Sequence, residues 1–351
     1  MDPSRFFRKE ILDLPAYHLE EYPGTKLNQN ESPWDIPVGL KAQVIENLLK
    51  TPWNRYPLGD LVILKKKLAK MLGVWADNIA FANGSNVLIQ AFILACSVGK
   101  NIMVVDPTFG VYETEGKILG NKINRVPLNP EDFTLDTNLF LSEMRKLKPK
   151  LIFIPNPNAP TGNLIDLESI RAIIEAAHCP VIIDEAYYPF SGVTVLEWTK
   201  NYSNLAVLRT FSKAYALGGL RLGYLVADTD IIRQVEKCLL PFCVSKITIA
   251  AALAVLDDTD YMHQYVDQIC LERQRVFENL KNFEGIKVYP SATNFILFEV
   301  TDSDLVFKNL VSQGIIIRQI GDGRRLTNAL RVSIGSADEN DRFLKALQQV
   351  L

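Results

Sequence analysis

The segment Thr210-Phe211-Ser212-Lys213-Ala214 follows an apolar run, Leu205-Ala206-Val207-Leu208, and Arg221 comes eight residues after the lysine. Upstream, Asp184 and Tyr187 close a second apolar run, Val181-Ile182-Ile183-Asp184-Glu185-Ala186-Tyr187. A lysine amine, a buried-looking carboxylate, a phenol, two hydroxyls and an arginine are what a pyridoxal phosphate (PLP) site requires. The lysine makes a Schiff base, the acid pairs with the pyridinium nitrogen, and the other groups hold phosphate and ring. A neighbouring cation and partial desolvation lower a lysine's pKa, which such an amine needs. Freed from the cofactor, it can carry a proton between substrate Cα and the cofactor's C4′.

Each residue also has a plainer reading when taken alone. Lys213 reads as a surface lysine, Asp184 as a helix or turn cap, and Tyr187 as core. Gly84-Ser85-Asn86, between a strand and a helix, suits phosphate at a helix N-terminus, and equally a turn with its cap. Arg221, placed in a strand, suits bidentate phosphate binding or a surface ion pair. Phe109, in Asp106-Pro107-Thr108-Phe109-Gly110, reads as a ring-stacking residue or as a core or loop aromatic. Arg318 and Arg331 lie on or beside apolar strands. Charge there needs a partner, either a structural ion pair or an anionic substrate group.

The elements that must position these residues alternate. Residues 78–82, 102–105, 151–154 and 181–183 have the apolar content of strands, and 87–96 and 167–177 have helical spacing. Continuous apolar strands alternating with helices indicate an α/β fold, with a mostly parallel sheet covered on both faces. In such sheets ligands bind at the carboxyl ends of the strands, where Gly84-Ser85, Phe109, residues 156–162, Asp184 and Lys213 all fall. Residues 1–35 suggest an extended arm with little helix. Residues 247–283 suggest long helix, and 295–298, 315–317 and 330–334 strands of a small α+β domain. Ser336-Ala337-Asp338-Glu339 is a capping box that opens the last helix. The division expected is an arm over 1–40, a large domain over 41–245 and a small domain over 246–351.

At 351 residues, with 48% apolar content and a formal charge of −2, the chain can bury a sizeable core. No basic run exceeds Lys65-Lys66-Lys67, so neither nucleic acid nor an anionic membrane is an expected partner. Five scattered cysteines without C-x-x-C spacing suggest ordinary buried thiols in a reduced, cytoplasmic protein, and no metal centre. Residues 1–5 lack an apolar h-region, which suggests no secretory signal. The apolar stretch 87–95 is too short to span a bilayer.

The motifs also recur in a definite order. Asn28-Gln29-Asn30-Glu31-Ser32-Pro33 is followed by Asn54-Arg55-Tyr56-Pro57, Gly84-Ser85-Asn86, Pro107-Thr108-Phe109-Gly110 and Asn156-Pro157-Asn158-Ala159-Pro160-Thr161-Gly162. Asp184 to Tyr187, Thr210 to Lys213 and Leu330-Arg331-Val332 complete the series. From about residue 24 to the end, the chain resembles the fold-type I PLP-dependent aminotransferases, and within them the histidinol-phosphate aminotransferases.

The resemblance implies a PLP-binding domain with a mostly parallel seven-stranded sheet, and a set of roles. Lys213 would be the Schiff-base lysine, Asp184 the partner of the pyridinium nitrogen, and Tyr187 that of the phenolate oxygen. Gly84, Ser85, Asn86, Thr210, Ser212 and Arg221 would surround the cofactor phosphate, with Phe109 on the ring. Tyr56 would reach the phosphate in a neighbouring subunit, which makes the expected assembly a homodimer. Arg331, helped by Arg318, would bind substrate carboxylate or phosphate, with Asn30 and Tyr17 nearby. The expected reaction joins a small-molecule amino donor and a 2-oxo acid in histidine biosynthesis: histidinol phosphate and 2-oxoglutarate give imidazole-acetol phosphate and glutamate. Aromatic transamination and threonine-phosphate decarboxylation share the cofactor residues, and a PLP-binding protein without catalytic duty is the contrasting class. One departure stands out. Ala159 occupies a position often held by an asparagine that bonds the phenolate oxygen, so Asn158 or Asn156 would have to compensate, or Tyr187 act alone.

Overall fold

The structure is a computed structural model that describes residues 2–16, 22–321 and 325–351. Thirteen strands are numbered in chain order among these residues. They are β1 (Thr25–Lys26), β2 (Ile79–Ala82), β3 (Asn101–Asp106), β4 (Lys122–Pro127), β5 (Leu151–Pro155), β6 (Val181–Asp184) and β7 (Leu205–Thr210). The rest are β8 (Gly223–Ala227), β9 (Lys287–Val288), β10 (Phe295–Glu299), β11 (Ile315–Ile316), β12 (Arg318–Gln319) and β13 (Ala329–Ser333).

Seven of them form one sheet, in the order β2-β8-β7-β6-β5-β3-β4. All neighbours run parallel except β8, which is antiparallel to both β2 and β7. The segment 211–222 contains only a 3₁₀ turn, whereas a parallel return requires a crossover, usually through a helix. Side-chain alternation then sorts the buried residues. Ile152, Ile183 and Val207 pack on one face, and Phe153, Ile182 and Leu208 on the other with Leu88 and Phe92 of the helix Ser85–Cys96. Both faces are dry, which is why these strands are apolar throughout.

A second sheet, β12-β13-β10-β9, is antiparallel and carries the helices Asp260–Lys281, Ser303–Ser312 and Ala337–Val350. Ser336 caps the last helix, and Glu339 reaches back to the Ser336 amide at 2.8 Å. The apolar run 315–317 does not form one strand. Ile315 and Ile316 pair in parallel with Thr25 and Lys26 of the N-terminal arm, and Arg318 pairs with Arg331. The arm is thereby tied to this second unit. It also holds a 3₁₀ turn, Pro3–Phe6, and a single-turn helix, Lys9–Leu12.

Three further expectations are revised. The helical stretch 247–283 is two helices, Lys246–Asp257 and Asp260–Lys281, because extended Asp258 breaks the first and its carboxylate accepts from the Asp260 amide. The first of them packs against helices Val38–Leu49 and Asp60–Leu72. Arg221 is not in a strand; it precedes β8 with φ of 53°. Of the cysteines only Cys179 is buried, the other four lying in helices or connecting segments where they are half-covered. Among the described residues no helix is long and apolar enough to cross a membrane.

Candidate active site

At the carboxyl edge of the large sheet, β6 ends in Asp184, whose side chain points to the same face as Ile182. Its Oδ2 accepts a 2.7 Å hydrogen bond from the Tyr112 hydroxyl and its Oδ1 a 3.1 Å bond from the Ala186 amide. Burial pushes this carboxyl up to about 6, while the phenol and the amide pull it back. At neutral pH it is therefore an ionised, buried group whose two donors carry no charge. Tyr112 is itself fixed, stacked on Phe153 at 4.7 Å and met edge-on by Phe109 at 5.6 Å. Phe109 thus stands in the loop after β3, in contact with the residue that holds Asp184.

The loop after β7 supplies the next groups. Thr210 Oγ1 accepts from the Ser212 amide at 3.0 Å, and Ser212 Oγ accepts from Arg221 Nη1 at 3.3 Å. Arg221 adopts a left-handed backbone, a conformation that costs a non-glycine residue about 1–3 kcal/mol and that clusters at functional sites. That turn brings the guanidinium against Gly84, where an added Cβ would lie 2.7 Å from Nη2. Gly84, with φ of 92°, caps the helix Ser85–Cys96, and Ser85 and Asn86 open its first turn. A Cβ on Gly223 would come within 2.3 Å of the Ser85 amide nitrogen, so the backbones here need two glycines. Unpaired helix amides, two hydroxyls and an exposed guanidinium in one cradle suit a phosphate group.

Lys213 projects between this cradle and the arm. Its Nζ donates to the Gln29 carbonyl at 2.9 Å and lies 5.9 Å from the centre of the Tyr187 ring. Burial, and then the nearby Arg331, lower its pKa to about 7; Glu31 opposes this and Arg221 adds to it. Near neutral pH a substantial fraction is the free amine, the nucleophilic form. Tyr187 packs edge-on to Phe295 at 5.2 Å, and burial raises its pKa, so it keeps its proton.

From the second sheet, Arg331 sits over the Phe295 ring at 5.1 Å and donates to the Asn28 carbonyl at 3.0 Å. Arg318 is its cross-strand partner. As directly opposed residues of an antiparallel pair, the two arginines share one face of that sheet. Asn30 is 1% exposed and donates from Nδ2 to the Tyr187 hydroxyl at 2.8 Å.

Three expected site residues stand apart. Tyr56 is 71% exposed and stacks on Phe242 at 4.5 Å, outside this cluster. Asn158 is wholly buried, and its Nδ2 donates to the Pro107 carbonyl and to Thr161 Oγ1, tying the β5 loop to the β3 loop. Tyr17 lies outside the described residues. Tyr112, Gln29, Ser333 and Asn294 were not singled out from sequence. Tyr112 is indistinguishable there from a core aromatic, and the others act through partners distant along the chain.

The residues present fit PLP. An amine able to lose its proton, a buried carboxylate held only by uncharged donors among the described residues, a phenol and a phosphate cradle closed by glycines converge on one edge. The family "Aminotransferase class I and II" matches residues 22–347. A histidinol-phosphate aminotransferase of Chlorobium phaeovibrioides is 35% identical, over 99% of this chain and 97% of its own length. One from Thermoanaerobacter pseudethanolicus is 36% identical over 98% of each. The crystal structure of histidinol-phosphate aminotransferase from Sinorhizobium meliloti in complex with pyridoxal-5′-phosphate superposes with a TM-score of 0.88, at 25% identity, over 98% of this chain and 97% of that one. With the match to the family spanning nearly every element that builds the site, this chain belongs to the class I and II aminotransferases.

Proposed function

We infer that this chain is a PLP-dependent aminotransferase of histidine biosynthesis, which interconverts histidinol phosphate and 2-oxoglutarate with imidazole-acetol phosphate and glutamate. The observation that carries this is the convergence of Lys213, with its pKa near 7, on a site floored by the buried Asp184 and closed by Arg331. The near-full-length likeness to proteins of that name supports the substrate assignment.

PLP, when bound, supplies an electrophilic carbonyl carbon and a ring that accepts electrons. The chain's own residues do the rest. Lys213 would hold the cofactor through its amine and would move a proton from substrate Cα. Asp184 would keep the pyridine nitrogen protonated, its buried negative charge gaining a cationic partner. Tyr187 would donate to the phenolate oxygen. Gly84, Ser85, Asn86, Thr210, Ser212 and Arg221 bind the phosphate, and Phe109 covers the ring. Arg331 and Arg318 bind the glutamate carboxylate and the histidinol phosphate in turn.

The working unit is a homodimer on this reading. Leu58, Leu240 and Phe242 are exposed apolar residues lining one groove, and exposed Tyr56 stacks on Phe242, an unusual concentration for a surface that meets only water. Paired across a two-fold axis, Tyr56 would reach the neighbouring cofactor's phosphate. The division we propose is an arm over 1–40, a large domain over 41–245 and a small domain over 246–351 whose first helix, Lys246–Asp257, packs back on the large domain. Free cysteines support a reducing, cytoplasmic setting.

The test is the absorbance of the PLP-loaded protein on adding histidinol phosphate alone. Loss of the visible band of lysine-bound cofactor, with its amine form appearing, is the expected outcome, and Lys213→Ala should not show it. A band that ignores histidinol phosphate but responds to phenylalanine or threonine phosphate would move the function to a different substrate on the same fold.

A further inference from the structure

Asn30 is committed at every polar atom. Its amide donates to Ser333 Oγ at 2.8 Å, its Oδ1 accepts from the same hydroxyl at 3.1 Å, and its carbonyl accepts from Asn294 Nδ2 at 3.0 Å. The side-chain Nδ2 is left, and it donates to the Tyr187 hydroxyl at 2.8 Å. Its backbone sits at φ of 55°, a left-handed conformation asparagine tolerates better than most residues. The Ser333 contact supports this orientation of the amide, because the buried Ser333 hydroxyl has a single proton and Oδ1 is the acceptor it meets. The end facing Tyr187 is therefore a donor.

A phenol oxygen that accepts from an amide must direct its own proton elsewhere. Tyr187 lies beside Lys213, and the cofactor's phenolate oxygen is on the ring carbon next to the one that carries the lysine linkage. In the adjacent loop Ala159 has no side-chain donor and Asn158 Nδ2 is spent on Pro107 and Thr161. Building on the assignment of PLP to this site, we propose that Asn30 is a positioning residue for the cofactor: it aims the Tyr187 proton at the phenolate oxygen and strengthens that bond. It acts through Tyr187 and not by binding substrate.

A hydrogen bond donated to the phenolate oxygen stabilises negative charge there. That loosens the oxygen's hold on the proton of the lysine–cofactor linkage and lowers the linkage's pKa. This pKa is read from visible absorbance against pH in the PLP-loaded protein without substrate, so the readout is independent of turnover. Tyr187→Phe should raise it by about one unit, and Asn30→Ala by about half a unit, since the donor loses its polarising partner. In the Tyr187→Phe background Asn30→Ala should add almost nothing. Asn30→Asp keeps the shape and the Ser333 contact but presents an acceptor to the phenol, and should raise the pKa by about one unit or more. It also serves if the alanine variant does not fold.

An unmoved pKa in both Asn30 variants would overturn the proposal. So would an Asn30→Ala shift that persists undiminished without the Tyr187 hydroxyl. If the parent protein, supplied with PLP, shows no pH-dependent visible band at all, the failure lies in the cofactor assignment itself.

Discussion

Asp184 and Glu185 are consecutive at the end of β6, and they leave it toward opposite faces of the sheet. Glu185 enters a finished arrangement. Its Oε2 accepts from Arg209 Nε at 2.9 Å, Arg209 Nη2 at 2.7 Å and Thr194 at 2.7 Å, and its Oε1 from the Val195 amide at 2.7 Å. The Arg209 guanidinium lies 3.6 Å from the centre of the Tyr188 ring, and the two charged side chains are 3% and 1% exposed. Among the described residues, Asp184 on the other face is held by a phenol and an amide. Lys213, beyond the end of β7, donates a hydrogen bond to the Gln29 carbonyl. One face holds a closed ion pair that asks nothing of a ligand. The other holds an acid and an amine, each displaced from its ordinary pKa and each awaiting a complement from outside the chain. Buried charge of the first kind is structural; of the second kind it marks chemistry.

The contrast is broken most severely on the closed side. Glu185→Gln should destabilise the chain by about 3–5 kcal/mol, because it strands the Arg209 charge in a dry site. The midpoint of denaturant unfolding measures it. Replacing both partners with apolar residues of similar volume should recover most of that loss.

On the open side the sign reverses. Asp184 has a folded-state pKa of about 6 against an ordinary 3.8, so the folded state holds its proton more tightly than the unfolded chain does. Its contribution to stability is present below pH 3.8 and is lost as pH rises through 6. Cofactor-free Asp184→Asn should therefore be more stable than the parent at pH 7, by about 1–3 kcal/mol, with the difference vanishing at low pH. The same variant should retain PLP poorly. Equal stability of the two proteins at pH 7 would mean that the carboxylate is not held at a cost.

A smaller effect should follow from Tyr112→Phe, which removes one of two donors to Asp184 but keeps the stack on Phe153. PLP affinity should fall about tenfold, as for one hydrogen bond to a charged acceptor. Equilibrium dialysis against PLP checks it, and unchanged affinity would make Tyr112 a packing residue only.

What could be read beforehand divides along similar lines. Asp184, Tyr187, Thr210, Ser212 and Lys213 were legible because each follows a fully buried strand, and apolar runs that end in polar residues mark the carboxyl edge of a sheet. β4 was not recognised, since Lys122–Pro127 lies at the sheet's border and alternates burial with polar residues. The direction of β8 and the left-handed turn at Arg221 depend on a short connection that carries no periodic signal. The break of the apolar run after Ile316, which separates β11 from β12, depends on an arm nearly three hundred residues away. The Asn30 network, joining residues 30, 187, 294 and 333, is likewise a product of tertiary structure.

The amine of Lys213 is where the central claim is most exposed. Trace labelling of the cofactor-free protein with acetic anhydride across pH, read by mass spectrometry on the peptide containing Lys213, measures its proton equilibrium directly. Half-maximal reactivity at about pH 7 is predicted. A midpoint at the ordinary lysine value of 10.5 would mean that the fold leaves this amine unprepared, and would contradict the account.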